Sequence, residues 1–275
     1  MRKNILLDKF LKKQLINIYM KIGIYLDKFS GHLFHDIELF IVLFEKIINN
    51  FEKKSTEIYF IKRENNKFMK AIKKNKLLLK RLFDQDNISI INNIKNYNFD
   101  LIIDRYKLDH KNINKAFATS IENFPTNIWA NKISNVTQSK TILYATRQNT
   151  RRRLNNISHN LISRLVKINK GTICDLGRLS LENQIKLFRQ HKIVIGVHGN
   201  NLSGIMWMKP GSHVFEIIPP EEKHKVYDYH CMSLCMKHNY NQVSCSGSLN
   251  SEMYIAPKNI IILSKLIKIH LSKKI

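Results

Sequence analysis

The chain has 275 residues, of which 46 are Lys or Arg and 21 are Asp or Glu, so its formal net charge is +25. A hydrophobic fraction of 44% with only 9 Gly and 5 Pro predicts an ordered globular protein and excludes long linkers or low-complexity tails. Lysines interrupt the apolar runs of the first 30 residues, and no run approaches the roughly 18 uncharged residues of a membrane span, so neither a secretory signal nor a transmembrane helix is predicted.

The positive charge has two interpretations. A polyanionic partner such as nucleic acid, an anionic membrane or a phosphate-bearing ligand would suit it. However, arginine is sparse apart from the cluster 151–153, whereas nucleic-acid interfaces are usually rich in arginine interleaved with aromatic residues. A solvated lysine surface therefore explains most of the excess, and nucleic acid is the disfavoured partner.

The four cysteines do not suggest a disulfide framework, so we expect a soluble protein of a reducing, intracellular compartment.

The first half of the chain alternates helical and strand-like patterns. Apolar residues at helical spacing predict helices over 33–51 and 66–83. Short apolar runs predict strands over 56–62, 88–94 and 99–106. This alternation is typical of an α/β unit with a parallel sheet.

The second half alternates more clearly, after a polar connecting stretch at 119–140. Strands are predicted over 141–146, 172–177, 192–197 and 213–218. Helices are predicted over 152–166, 180–191 with Ser180 as N-cap, 225–239 and 257–272, with a turn into a helix over 198–208. We accordingly divide the chain into a first domain at 1–133, a second domain at 134–256 and a C-terminal helix at 257–275.

The strongest chemical signal follows the apolar strand 192–197. The strand ends at Val197, and a turn containing Gly199 leads to a helix that begins near Leu202. Open α/β sheets bind ligands at the carboxyl ends of their strands, and helix N-termini there present free N–H groups to phosphate. Glu216 ends the next strand and suits the hydroxyl groups of a ribose. These residues alone predict a phosphate or nucleotide site.

The same segment resembles glycosyltransferase family 61, whose hallmark is a strand, His-Gly-Ala-Gly/Ala-Leu-Thr-Asn, a helix, Pro-Gly-Ser and a strand bearing Glu. The matching residues are His198-Gly199-Asn200-Asn201-Leu202-Ser203-Gly204, Pro210-Gly211-Ser212 and Glu216. Two further blocks agree: LSLENQIKLF at 179–188, and TILYATRQNTRRRLNN at 141–156. In the family, the second of these blocks is a strand that ends in an arginine and is followed by another arginine and an asparagine. Arg147 matches the first arginine, and Arg152 or its neighbour Arg151 matches the second. Asn156 matches the asparagine. The segment 30–36 is similar to a His-x-x-x-Asp block.

The resemblance implies a GT-B architecture, with two Rossmann-like α/β domains facing a cleft and a C-terminal helix that could cross back. It makes 1–133 the acceptor-side domain and 134–256 the nucleotide-sugar-binding domain. It implies an inverting enzyme that moves a sugar from a UDP-sugar, such as UDP-GlcNAc or UDP-xylose, to a hydroxyl of a glycan or glycoprotein, with no metal or other cofactor. The implied general base is Asp36, with His32 and His35 as further candidates. The implied donor-binding residues are Arg147, Arg152 or Arg151, His198, Gly199, Asn200, Asn201 and Leu202, with Glu216 on the ribose.

The sequence departs from the family pattern where the donor should lie. Asn200-Asn201 replaces the small residues after His-Gly, and Ser203-Gly204 replaces Thr-Asn. These changes leave open an inactive relative that binds a nucleotide or glycan, and a basic nucleic-acid-binding protein is the alternative from another class.

A zinc site at His230, Cys231, Cys235 and His238 is also conceivable from the residue types. Cys231, Cys235 and His238 share one helical face. Structural zinc sites usually take their ligands from turns, with a second pair of ligands elsewhere in the chain. Buried structural cysteines are therefore favoured, and no metal is predicted.

Overall fold

Parallel β-sheets organise both halves of the chain. The computed structural model describes residues 20–26, 56–62, 88–91, 94–104, 137–138, 140–219, 227–248 and 250–272. The chain divides into two units, Met1–Ser120 and Ile121–Ile275. The division falls in the stretch that the sequence predicts as a connection. The helices predicted over 33–51 and 66–83 lie outside the described residues.

The first unit contains a four-stranded parallel sheet. Its strands are β1 (Met20–Leu26), β2 (Thr56–Lys62), β3 (Ile88–Ile91) and β4 (Leu101–Ile103), in the order β3-β2-β1-β4. The sequence predicted β2, and predicted β3 and β4 as longer strands, but did not predict β1. Lys21 within MKIGIYL and Asp27-Lys28 after it hide its short apolar alternation, yet Ile22 and Ile24 are fully buried in the sheet.

The second unit contains a five-stranded parallel sheet. Its strands are β5 (Lys140–Thr146), β7 (Thr172–Asp175), β8 (His191–Val197), β9 (His213–Ile218) and β10 (Asn239–Ser244). Their order is β10-β9-β8-β5-β7. A separate parallel pair joins β6 (Arg153–Leu154) to β11 (Glu252–Met253). The predicted α/β class, with a Rossmann-like sheet in each half, is confirmed.

Helices connect these strands close to the predicted positions. They are α1 (Asn156–Ile168), α2 (Leu181–Gln190), a 3₁₀ helix (Asn200–Trp207), α3 (Tyr227–Cys235) and α4 (Pro257–Ser272). Ser180 caps α2 as predicted, accepting a hydrogen bond from the amide of Asn183 at 3.3 Å.

Two predicted helix boundaries are wrong. The helix predicted over 152–166 begins only at Asn156, because Asn155 caps it and the two residues before that cap pair with β11. The helix predicted over 225–239 ends at Cys235, and β10 follows from Asn239. Lys237, with φ of 55°, turns the chain out of the helix.

The core of the second unit covers both faces of its sheet. On one face, Ile162 and Val166 of α1 pack in the same cluster as Leu263 and Ile267 of α4. The C-terminal helix therefore belongs to the core of this unit. On the other face, the buried residues include Phe188 of α2 and six consecutive apolar or small residues of the 3₁₀ helix. Among the described residues, no helix has both the length and the apolar character that a membrane crossing requires.

Candidate functional site

The candidate site lies where β5 and β8 end side by side in the middle of the sheet. These strands are parallel neighbours, paired from Lys140 with His191 to Ala145 with Gly196. Arg147 follows β5, and His198 and Gly199 follow β8. Ligands of open α/β sheets bind at such carboxyl ends, so the strand pairing brings the two predicted motifs to one edge.

Gly199 allows two arginines to approach the turn after β8. Its φ is 134° and its ψ is −173°, a conformation that is essentially restricted to glycine. A Cβ at this position would overlap the Arg147 guanidinium and lie 3.6 Å from Nη1 of Arg152. Arg147 Nη1 also donates to the carbonyl of His198, at 3.4 Å. The missing side chain of Gly199 thus leaves space for both guanidinium groups.

The loop after β5 is folded so that Arg147 and Arg152 meet. The amide of Thr150 donates to the carbonyl of Arg147 at 3.1 Å, and its hydroxyl lies 3.0 Å from the same oxygen and 3.2 Å from the carbonyl of Arg152. Burial lowers the pKa of Arg147, and the charge of Arg152 lowers it further, while Tyr229 and Asp175 act in the opposite direction. Two guanidinium groups held this close favour an anion with several oxygens.

The 3₁₀ helix begins directly after Gly199 and is tied to β5. Asn201 Nδ2 donates to the carbonyl of Thr146 at 2.5 Å, and the amide of Leu202 donates to the carbonyl of Gly199 at 2.8 Å. Asn200 Oδ1 accepts a hydrogen bond from Ser203 at 3.3 Å. The two asparagines that depart from the family pattern therefore brace the turn, and Asn201 anchors it next to Arg147.

His198 belongs to a buried chain of hydrogen bonds. Its Nδ1 lies 2.5 Å from Glu216 Oε1, and Tyr240 donates its hydroxyl to Glu216 Oε2, also at 2.5 Å. Glu216 is fully buried and His198 is 4% exposed. Burial, and then the negative charge of Glu216, raise the pKa of Tyr240, so its hydroxyl keeps the proton that it donates. The ring of Tyr229 packs edge-on against His198, with centroids 5.3 Å apart.

This geometry engages Glu216 within the protein, which favours a role different from the predicted ribose contact. Both carboxylate oxygens already accept hydrogen bonds from protein groups, and the side chain has no exposed surface for a ribose to contact. The sequence missed Tyr240, the second partner of Glu216. Its strand, β10, reads NYNQVS, and this polar composition gave no strand signal.

Arg151 and Arg152 point to different surroundings. Arg151 is exposed and lines a cleft of about 560 Å³, whereas Arg152 adjoins Gly199. The cleft also contains Arg153, which donates to Glu252 at 2.6 Å from Nη2 and at 3.0 Å from Nε. The other lining side chains are amides and hydroxyls: Gln148, Asn149, Thr150, Asn250 and Ser251. Such groups suit hydroxyl-rich ligands.

The candidate bases Asp36, His32 and His35 lie outside the described residues. In the described part of the chain, no three His, Cys, Asp or Glu side chains are grouped to hold a metal ion. His238 of the zinc alternative instead places Nε2 2.9 Å from the carbonyl of Ile205.

Together, a parallel α/β sheet and two arginines at a glycine turn are features typical of nucleotide-binding α/β proteins. The family model "Glycosyltransferase 61" matches residues 10–215. The chain belongs to this family and is a glycosyltransferase. Glycosyltransferases use a nucleotide-sugar donor and a glycan acceptor.

Two solved structures are reported as similar to this chain at low sequence identity. A family 9 glycosyl transferase from Veillonella parvula DSM 2008 is 9% identical, with a TM-score of 0.43, covering 83% of this chain and 87% of that one. The E. coli heptosyltransferase WaaC with ADP is 7% identical, with a TM-score of 0.45, covering 92% of this chain and 99% of that one. No curated protein sequence matches the chain at a significant level.

Proposed function

We propose that the second unit binds a UDP-sugar at the Gly199 turn and that the enzyme transfers the sugar, with inversion and without a metal ion, to a hydroxyl of a glycan or glycoprotein. The observation that supports this is the pair of guanidinium groups, Arg147 and Arg152, at the ends of β5 and β8. The leaving diphosphate gains negative charge as its bond to the sugar breaks. Fixed positive groups stabilise that charge most in the transition state.

The turn itself supplies the remaining contacts of the diphosphate. The 3₁₀ helix begins directly at this turn, and its dipole adds positive potential there. Asn201 fixes the distance between this helix start and Arg147 through the carbonyl of Thr146. The polar cleft lined by Arg151 is the neighbouring space in which sugar hydroxyls would find amide and hydroxyl partners.

Glu216 is in our proposal a positioning residue for His198. With Nδ1 of His198 held by Glu216, Nε2 is the ring nitrogen that remains to contact the donor. Tyr240 holds the second oxygen of Glu216, so the carboxylate cannot rotate away. Inversion requires one base to remove the proton of the acceptor hydroxyl. Asp36 remains our first candidate for it, ahead of His32 and His35.

Thermal stability against UDP, UDP-GlcNAc, UDP-xylose and other nucleotides tests the donor site. We expect one UDP-sugar to raise the melting temperature equally with and without EDTA. Arg147→Gln and Arg152→Gln should each remove most of this shift. Arg164→Gln, an exposed arginine of α1, is the matched control and should retain it. The proposal is wrong if no nucleotide or nucleotide sugar stabilises the protein, and salt-sensitive stabilisation by RNA or DNA would instead favour nucleic-acid binding.

Release of UDP in the presence of glycan acceptors separates an active enzyme from an inactive relative. We expect release to depend on acceptor and to disappear in Arg147→Gln. Binding of the donor without any release, across a broad acceptor panel, would favour the inactive relative that Asn200-Asn201 leaves open.

The role of Glu216 has its own spectroscopic test. Nitrogen NMR of ¹⁵N-histidine-labelled protein reports which ring nitrogen of His198 holds the proton. Glu216→Gln should change this signal and weaken donor binding roughly tenfold or more, since a charge-assisted hydrogen bond is lost. Tyr240→Phe leaves the carboxylate and should preserve the signal. An unchanged His198 signal in Glu216→Gln would contradict the positioning role.

A further inference from the structure

Helices α1 and α4 share one side of the sheet in the second unit. The β5–α1–β7 connection runs toward one sheet edge, whereas the connections from β7 onward run toward the other edge. Because such crossovers are right-handed, α1 lies on the opposite side from α2, the 3₁₀ helix and α3. The inner faces of α1 and α4 meet in a common core cluster. Their outer faces therefore form one surface, away from the side that holds α2.

That surface exposes six large aliphatic side chains. In α4, Ile261, Ile262 and Ile269 are 56%, 54% and 49% exposed. In α1, Ile157 and Ile168 are 63% and 71% exposed, and Leu161 adds 37%. Spacings of four, seven and eleven residues in α1, and of one, seven and eight in α4, place each set on one side of its helix. Single exposed apolar residues are ordinary, but a group of six on two adjacent helices marks an interaction surface.

The same two faces are basic and have no acidic residue. Arg164 and Lys167 of α1 are exposed, as are Lys258, Lys265 and Lys268 of α4. Neither helix contains Asp or Glu, and neither contains Phe, Tyr or Trp. Exposed isoleucines beside exposed basic residues are typical of amphipathic helices that lie in the plane of a membrane interface.

We propose that α1 and α4 form a docking surface for an anionic phospholipid bilayer. The isoleucines would enter the boundary between headgroups and acyl chains, while the lysines and Arg164 contact lipid phosphates. The net charge of +25 adds a long-range attraction toward such a surface. Nucleic acid fits the face less well, because it offers no aromatic side chain on which a base could stack. The inference goes beyond the donor site, since it specifies where the enzyme would work.

Co-sedimentation of the whole chain with vesicles tests this surface. We expect binding to phosphatidylcholine vesicles containing phosphatidylglycerol, weaker binding to pure phosphatidylcholine, and loss of binding as salt is raised. Lys265→Gln with Lys268→Gln should lower the partition coefficient roughly 25-fold, at about fivefold per lysine. Ile261→Ser with Ile262→Ser should lower it at least tenfold, because exposed side chains that enter the interface are lost.

The matched control is Lys186→Gln with Lys237→Gln, two exposed lysines on the other side of the sheet. This pair should change the partition coefficient less than threefold. Stabilisation by the UDP-sugar reports folding independently, and every variant should retain it. The proposal is overturned if anionic vesicles do not bind, if the control pair weakens binding as much as the α4 pair, or if the isoleucine variants instead abolish binding of RNA or dissociate a dimer.

Discussion

At the scale of single residues, Gly199 is the position on which the pair of arginines depends. An alanine there would have to adopt a φ of 134° and overlap the Arg147 guanidinium. Gly211 provides a matched control, since its φ is 82° but a Cβ would meet nothing within 4 Å. Both substitutions add backbone strain of about 1–3 kcal/mol.

We expect Gly199→Ala to lose stabilisation by the UDP-sugar, whereas Gly211→Ala keeps it at a similarly reduced melting temperature. Thermal scans with and without the donor measure both quantities in one experiment. Equal donor shifts in the two variants would show that Arg147 does not need the space left by Gly199.

His238 makes the stability of the second unit depend on pH. Burial lowers its pKa to about 4, although the hydrogen bond to the carbonyl of Ile205 raises it. Between pH 4 and pH 6.5, His238 is therefore protonated in the unfolded state, where its pKa is near the usual 6.5, and neutral in the folded state. The stabilising contribution is present above pH 6.5 and is lost as pH falls toward 4.

We expect this residue alone to cost about 2 kcal/mol in free energy of unfolding between pH 7.5 and pH 5. Denaturant titrations at the two pH values measure the loss, and His238→Gln, which keeps a donor for Ile205, should reduce it by that amount. An identical pH dependence in the variant would place the titrating group elsewhere.

The arginines of the site could be predicted from sequence, but the partners of Glu216 could not. Arg147 and Gly199 directly follow strongly apolar strands, so the sequence places both at the same edge of the sheet. Glu216 lies in a similar strand, yet its environment is set by Tyr240, which is 24 residues away on a strand without an apolar pattern. The sequence gives no measure of how completely the neighbouring strands bury Glu216.

At the scale of elements, the packing of α2 against the 3₁₀ helix explains one departure from the family pattern. Gly204 stands where the family has Asn, and a Cβ at this position would overlap the Phe188 ring of α2. Both residues are fully buried. The ring of Phe188 thus fills the space that a larger residue at 204 would need.

We expect Gly204→Ala to lower the free energy of unfolding by about 1–3 kcal/mol through overpacking. Phe188→Leu in the same chain should recover part of this loss, because the smaller side chain vacates the overlap. A double-mutant cycle by denaturant unfolding measures the coupling. Strictly additive effects would mean that the strain arises elsewhere in the helix.

Strand composition explains which elements the sequence could identify. β5, β8 and β9 are buried on both faces and read as continuous apolar runs. The sequence does not identify β1 and β10, because Lys21 interrupts the first and the second is composed mostly of polar side chains. The late start of α1 was also missed, since it follows from pairing with β11, almost 100 residues away.

At the scale of the whole molecule, the net charge of +25 implies repulsion that opposes the compact state. Exposed ion pairs such as Arg153 with Glu252 offset little of it, since such pairs contribute at most about 1 kcal/mol. Added salt screens the repulsion, with a screening length of about 10 Å at 0.1 M and shorter above. Salt should therefore stabilise this protein.

We expect the melting temperature to rise by roughly 2–4 °C, or about 1 kcal/mol, between 0.05 M and 0.5 M NaCl. The double variant Lys186→Glu with Lys237→Glu lowers the net charge to +21. It should raise the melting temperature at low salt and reduce the further rise that added salt causes. Sucrose at equal osmolality controls for effects unrelated to charge. A melting temperature that falls with salt would instead mean that attractive ion pairs outweigh the repulsion between the excess lysines.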